Sequence, residues 1–350
     1  MNDMRVSVIV PAHNAEATVG RCVAALLDQT YVQPYEVLVV DDGSTDRTAE
    51  IARLAGAKVI STARRRPAGA RNAGIRASRS EIICCTDADC TPHRDWLVQM
   101  TSAFDDPTLV ACKGAYVTRQ RQLIARFVQL EYEDKYDRLR QQGDIDFIDT
   151  YSAAYRRDVL VASGGFDERF DYLEDQELSF RLAAKGHRMV FCDKAIVEHL
   201  HSATLGTYLK KKSTIGYWKS QVVRLHPERL VKDSHTPQIM KLQIALALLG
   251  VLAIAAVLVA LPGAGLLGVP ARFWALAAFG VGLLFLLTTV PFVRKAWPKD
   301  RSVAFWSPVL LFGRALALGA GTIQGLLKPV NLWEASTQSG VGNDGTNYSR

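Results

Sequence analysis

Residues 6–14 read Val-Ser-Val-Ile-Val-Pro-Ala-His-Asn, a short β-rich run that breaks on a proline and then on polar side chains. Over residues 15–29, Val19, Cys22, Val23, Leu26 and Leu27 recur at helical spacing. A second β-rich run at 36–40 ends on Asp41 and Asp42, and a helix over 46–55 follows, which Ser44 or Thr45 can cap. Further strands are predicted at 58–60, 82–86, 109–117 and 189–192, and Thr91-Pro92 reads as a helix start. This alternation across the first 200 residues predicts an α/β fold on a mostly parallel sheet. In open sheets of that kind ligands bind beyond the carboxyl ends of the strands. Three polar clusters fall there, at 11–16, 41–46 and 86–90.

The chain has 350 residues, 49% hydrophobic and 22% charged, which excludes disorder and fibrous repeats. The six cysteines form no Cys-x-x-Cys pair and no zinc spacing, so neither a disulfide scaffold nor a zinc module organises it; reduced thiols suggest a cytosolic face. The formal charge is +7, and residues 210–241 alone carry a net +6. That stretch runs directly into an uncharged apolar segment, which points to an anionic bilayer surface rather than nucleic acid.

Residues 242–271 carry no charge, enough for the ~20 residues that cross ~30 Å of hydrocarbon. Residues 273–293 form a second uncharged run, after a turn around Pro262, Gly263 and Pro270. Arg294, Lys295, Lys299 and Arg301 follow, so both basic flanks of this hairpin lie on one side, which the positive-inside rule makes cytoplasmic. A third apolar stretch, 303–327, holds Pro308 and a central Arg314. Two placements stay open for it: in-plane at the interface, or, as favoured, a crossing with Gly313, Ala317 and Gly321 as a close-packing face. The first apolar run, five or six residues, is too short for the core of a cleavable signal peptide. The expected organisation is a catalytic unit at 1–200, a basic amphipathic segment at 201–238, membrane helices at 239–328 and a polar tail at 329–350. The expected location is the inner membrane, multi-pass, with the catalytic unit in the cytoplasm.

Asp87-Ala88-Asp89 carries the chemistry. If strand geometry persists past Thr86, a period of two sets both carboxylates on one face. Paired oxygen ligands suit Mg²⁺ or Mn²⁺ bridging a diphosphate. With this triplet stand the 6–14 stretch, Val-Val-Asp-Asp-Gly-Ser-Thr-Asp at 39–46, Ala-Arg-Asn-Ala-Gly at 70–74, Gly-Gly-Phe-Asp at 164–167 and Leu-Glu-Asp-Gln-Glu-Leu at 173–178. In order and spacing the set resembles the family-two inverting glycosyltransferases, over roughly residues 5–220. The resemblance implies a GT-A-type, Rossmann-like sheet with helices on both faces, here followed by an all-α membrane region.

It further implies that Pro11, Ala12, Asn14 and Glu16 border the nucleotide, that Asp42 reads the base edge of a UDP-sugar, and that Arg71 lies beside the base or diphosphate. Asp87 would contact the ribose, the metal or a metal-bound water, and Asp89 would ligate the metal. Asn14 and Asp42 as turn or helix caps, and Arg71 as a surface residue, are the plainer alternatives. His199 matches a histidine that related enzymes place near the metal; a hydrogen-bonding strand-end histidine is its alternative. His201 is expected to be structural, and His13 has no assigned role.

Inversion needs one carboxylate to accept the acceptor's hydroxyl proton and a cation to absorb charge on the leaving group. Asp175, in the segment matching the family's Glu-Asp motif, is the expected base, with Glu174 beside it. Gly164 and Gly165 would let the backbone turn beneath the acceptor, and Tyr217, Trp218 and Lys219 would line the acceptor channel. The processive members' Gln-x-x-Arg-Trp is missing, so single addition is expected. The leading reading is transfer to a hydroxyl of a lipid-linked saccharide or lipid, for cell-envelope glycan synthesis. A polyprenyl-phosphate sugar synthase, a small polysaccharide synthase, a non-catalytic membrane scaffold and a nucleotidyltransferase are the alternatives. Sugar, acceptor, linkage and oligomeric state are not legible.

Overall fold

The computed structural model describes residues 5–230, 236–261 and 266–331. In chain order its elements are β1 (Val6–Ala12), α1 (Val19–Leu27), β2 (Tyr35–Asp42), α2 (Thr48–Leu54), β3 (Lys58–Thr62), α3 (Arg66–Ala77), β4 (Ile82–Cys85), β5 (Cys90–Pro92), α4 (Trp96–Thr101), β6 (Leu109–Val117) and α5 (Leu123–Leu139). Then come β7 (Ala153–Arg156), α6 (Arg157–Ala162), α7 (Glu174–Ala184), β8 (Arg188–His199), α8 (Leu205–Leu225) and the apolar helices α9 (Gln238–Ala260), α10 (Ala271–Ala296) and α11 (Arg301–Leu327).

The eight strands form one sheet in the order β3-β2-β1-β4-β7-β6-β8-β5. β3, β2, β1 and β4 are mutually parallel; β7 is antiparallel to β4 and β6, β6 and β8 are parallel, and β5 is an antiparallel edge. The sheet is therefore mixed but mostly parallel, with β7 and β5 running against the other six strands. Val6, Val8, Ile9 and Val10 are all fully buried, the continuous apolar run expected of a strand covered on both faces.

Several local expectations differ from the structure. Thr91 and Pro92 lie in β5, and the helix begins at Trp96 instead. α1 and α2 start later than their apolar patterns, and Asp46, not Ser44 or Thr45, accepts the Thr48 amide at 3.0 Å. β8 runs seven residues past 192 because Ala195, Val197 and His199 keep the inward alternation. β4 stops at Cys85, and a turn closed by the Cys90 amide on the Asp87 carbonyl (2.9 Å) carries the Asp-Ala-Asp triplet. The period-two argument for a shared face therefore fails; the turn brings the two carboxylates to one cavity by another route.

α9, α10 and α11 are each long and apolar enough to cross a membrane. The hairpin turn at Pro262 and Gly263, Lys232 and Asp233 of the basic stretch, and most of the expected tail lie outside the described residues. α9 and α10 expose leucines along their length, such as Leu252, Leu258, Leu276 and Leu287. α11 differs. It continues through Pro308 and lies side by side with α8 in the parallel sense, Gly313 against Leu209, Gly321 against the Ser213 backbone and Gly325 against Ser220. A Cβ on Gly321 would stand 1.9 Å from the Ser213 carbonyl oxygen, so only glycine permits this approach. Buried Arg314 donates to Glu131 of α5 at 2.6 Å and to the Gln243 amide oxygen. Lys295 pairs with Asp134 and Asp137, fastening the end of α10 to α5.

Candidate active site

A cavity of about 590 Å³ opens over the carboxyl ends of β1 and β4, roofed by Lys211 and Ile215 of α8. Asp87, Asp89 and His199 line one side, and Asp149, Glu174 and Asp175 the other.

On the first side, the Asp89 carboxylate lies 3.6 Å from His199 Nε2, and donor atoms of Asp89, Cys90 and His199 all fall within 4.8 Å of one another. His199 ends β8 and leans on Tyr116, ring centroids 4.7 Å apart, with its Nδ1 3.3 Å from that of His201. Burial lowers the His199 pKa, against the pull of Asp89, and keeps the imidazole neutral with a lone pair to offer. Burial raises the Asp89 carboxyl above its ordinary range, opposed by His199 and reinforced by Asp87.

On the far side, Asp175 occupies the first turn of α7. It keeps part of its surface open to the cavity, yet protein rings it elsewhere, and this enclosure, with Glu174 and Asp149 nearby, pushes its pKa up to about 8. Its Oδ2 accepts a long bond, 3.4 Å, from the Thr150 amide. Asp149 is held by two buried lysines, Lys113 and Lys135, and by the Tyr151 hydroxyl at 3.1 Å.

Arg71 ties the sides together. It lies buried on α3 and lines the cavity, donating to Asp87 Oδ1 at 2.8 Å and to Glu174 Oε1. Burial alone would lower its pKa; Asp87 and Glu174 reverse that and hold the guanidinium charged. Glu174 is thereby committed to an ion pair.

The nucleotide side is mixed. Pro11, Ala12 and Asn14 line the cavity. Asn14, left-handed at φ 49°, accepts from the Thr45 amide at 2.8 Å and donates its own amide to Ser44. Glu16 does not line the cavity; its carboxylate takes the Arg47 amide at 3.1 Å. Asp42 lines it, but accepts from the Arg65 and Arg66 amides (2.6 and 2.7 Å), Thr62 and Arg64. It can offer an oxygen to a base only by releasing part of that loop.

The expected acceptor residues lie elsewhere. Gly165 borders a separate groove, where Asn72 holds Phe166 through both backbone atoms, and a Cβ on Gly165 would meet Asn72 Oδ1 at 2.6 Å. Trp218 is buried among Phe170, Phe180 and Val222, Tyr217 donates to the Lys328 carbonyl, and Lys219 faces a second cavity. From α8, Lys211 and Ile215 reach the first cavity instead. Their i, i+4 spacing was the available signal, masked by the run of three lysines. Asp149, Tyr116, Tyr132, Tyr151 and Tyr172 also line it, and no local pattern marks them.

The description "Glycosyl transferase family 2" matches residues 7–163. The chain is 30% identical over 227 residues to Glycosyltransferase AglE of Haloferax volcanii, covering 62% of this chain and 73% of that protein. With the pre-mycofactocin glycosyltransferase of Mycobacterium tuberculosis it shares 27% identity over 235 residues, 64% of this chain, and it spans about half, 48%, of that relative's length. Among solved structures, a mannosyltransferase of Pyrobaculum calidifontis, in complex with GDP-Man and Mn²⁺, superposes with a TM-score of 0.59 at 20% identity, covering 92% of this chain and 87% of the other. That likeness is one of fold; the match over residues 7–163 and the identity to AglE show that the chain belongs to glycosyltransferase family 2.

Proposed function

We propose that the chain transfers a single sugar, with inversion, from a nucleotide-diphospho-sugar to a hydroxyl of a lipid-linked saccharide or other lipid acceptor, in cell-envelope glycan synthesis. The observation that carries this reading is the pairing of two acidic sides across one cavity, one with a metal-ligand set and one with a proton acceptor.

Asp87, Asp89 and His199 would hold Mg²⁺ or Mn²⁺. When bound, the cation supplies charge compensation for the departing diphosphate. Asp175 takes the proton of the acceptor hydroxyl as that oxygen attacks the anomeric carbon, the bond to the nucleoside diphosphate breaking on the opposite face. Arg71 fixes Asp87 on one side and Glu174, next to Asp175, on the other. Pro11, Ala12 and Asn14 would border the nucleoside, and a UDP-sugar would be read by Asp42 once the Arg65 and Arg66 amides release one of its oxygens. Lys211 brings positive charge over the site from α8.

The α9–α10 hairpin is read as crossing the membrane, with the catalytic unit on the cytoplasmic side. For α11 the packing favours the in-plane placement over the crossing. It runs along α8, whose Lys210, Lys211 and Lys212 would have to enter hydrocarbon with it at a few kcal/mol each.

Thermal stabilisation by a panel of nucleotide sugars, with and without Mn²⁺, tests the donor. Radiolabelled donor with purified lipid acceptors tests the transfer. Metal-dependent stabilisation and an Asp175-dependent, acid-stable product are expected. A product labile to mild acid and formed undiminished by Asp175→Asn would make the chain a polyprenyl-phosphate sugar synthase; no stabilisation by any nucleotide sugar would remove the catalytic reading.

A further inference from the structure

A second cavity, about 320 Å³, lies between the α/β unit and the membrane helices, and the transfer chemistry above does not use it. Its walls are of two kinds. On one side stand Arg138 and Lys135 of α5, Lys212 and Lys219 of α8 and Arg314 of α11; Lys212 and Arg314 pair with Glu131, Arg138 with Asp134 and Lys135 with Asp149. Toward the hydrocarbon the walls are apolar, including Ile239, Met240 and Ile244 of α9, Phe292 of α10 and Leu311 of α11.

Two donors on this wall lack partners. Gln176 is 1% exposed and Arg314 6%, and neither Gln176 Nε2 nor Arg314 Nε has a hydrogen-bond acceptor among the described residues. Buried N–H donors are seldom left so, and five cations sharing three carboxylates leave net positive charge beside them, which suits an anionic group rich in oxygen. The apolar half suits a hydrocarbon chain.

The cavity meets the first one. Tyr132, Leu173 and Ile215 line both. Leu173 is left-handed at φ 65°, a conformation that costs a non-glycine residue about 1–2 kcal/mol. It stands immediately before Glu174 and Asp175, at the junction of the two spaces.

We infer that this cavity binds the diphosphate head group of a lipid carrier, its chain running out among α9, α10 and α11. The sugar borne by the carrier then extends past Leu173 and presents its hydroxyl to Asp175. The phosphates are the handle and not the nucleophile. The inference rests on the glycosyl-transfer reading only for that sugar; binding of the head group is a separate matter and is measured separately.

The test is a titration of the purified full chain in phosphatidylcholine nanodiscs, with EDTA present so that no divalent cation supports diphosphate binding at Asp87 and Asp89. Farnesyl diphosphate, farnesol and inorganic pyrophosphate serve as probes. Farnesyl diphosphate is expected to bind at least about tenfold more tightly than either of the others, and Gln176→Leu and Lys219→Gln are each expected to weaken it by about tenfold, the scale of a hydrogen bond to a charged group. Equal affinity in wild type and both variants would overturn the inference. So would pyrophosphate binding as tightly as farnesyl diphosphate, or its full displacement by phosphatidylglycerol, which would mark an ordinary lipid site. Stabilisation by nucleotide sugar with Mn²⁺, measured on the same preparation, reports the donor cavity, so failure of either reading is recognised by itself.

Discussion

The two acidic sides of the cavity are built from the same side chains and end in different surroundings. Asp89 stands 43% exposed in side-chain area on a turn, with a neutral imidazole beside it, while Asp175 sits at a helix start among two other carboxylates. Burial raises both carboxyls, but His199 opposes the rise at Asp89, whereas Glu174 and Asp149 add to it at Asp175 and carry it to about 8. Arg71 touches both sides, through Asp87 and Glu174, so what separates them is the surroundings and not the chemistry of the acid. A cavity that needs one site for the leaving group and another for the attacking hydroxyl gets two different acids in this way.

The largest effect is expected from removing the first side. Asp89→Ala leaves His199 without its carboxylate, and metal-dependent donor affinity should be lost. Isothermal titration of a nucleotide sugar with and without Mn²⁺ reads this directly; equal donor affinity in wild type and variant would break the comparison at its first term.

Removing the second side should spare the first. Asp175→Asn is expected to bind donor and metal as the wild type does and to lose about 10²-fold or more in kcat, the scale of positioned acid–base catalysis. A loss of donor affinity instead would show that the two sides are one site.

The pH profile carries the same contrast. A carboxyl whose pKa is raised to about 8 is protonated at neutral pH, and only its ionised form accepts the hydroxyl proton. The kcat/KM for acceptor should therefore rise as pH increases and level off above about 8, falling about tenfold per unit on the acid side. A limb near 4 would mean that an ordinary carboxylate does this work.

Much of this architecture was legible in the chain. The alternation over 6–60 located β1 and β2 because buried parallel strands are nearly pure Val/Ile runs, and β3 from its shorter Val-Ile pair at the sheet edge; the Asp87–Asp89 triplet marked a real cavity wall. What failed were arguments that carried local periodicity past the end of an element: β4 ends one residue too early for the strand rule, and Thr91-Pro92 enters an edge strand where proline is tolerated. Long-range partners were out of reach. Asp149 meets Lys113 and Lys135 from separate elements, and Arg314 meets Glu131 across 183 positions of sequence. Trp218 and Tyr217 were read as acceptor contacts from composition, but the helix turns Lys211 and Ile215 to the cavity, and which face a helix shows is set by what α11 covers.

The smallest effect sharpens the comparison most. Glu174 is the charge that raises Asp175 most, and its ion-pair partner is Arg71. Glu174→Gln removes the repulsion and frees the Arg71 charge from one of its two carboxylates, and both changes favour ionised Asp175. The sign is fixed: the acid limb of kcat/KM moves to lower pH, by about one unit for ~1.4 kcal/mol of altered interaction. Activity measured well above pH 8 should hardly change, since Asp175 is ionised there in either protein. Donor affinity with Mn²⁺ should hold as well, because Arg71 keeps its 2.8 Å bond to Asp87. A limb that stays in place would remove Asp175 as the titrating group, whereas a limb that moves together with donor affinity would show that Arg71 transmits charge from one side to the other.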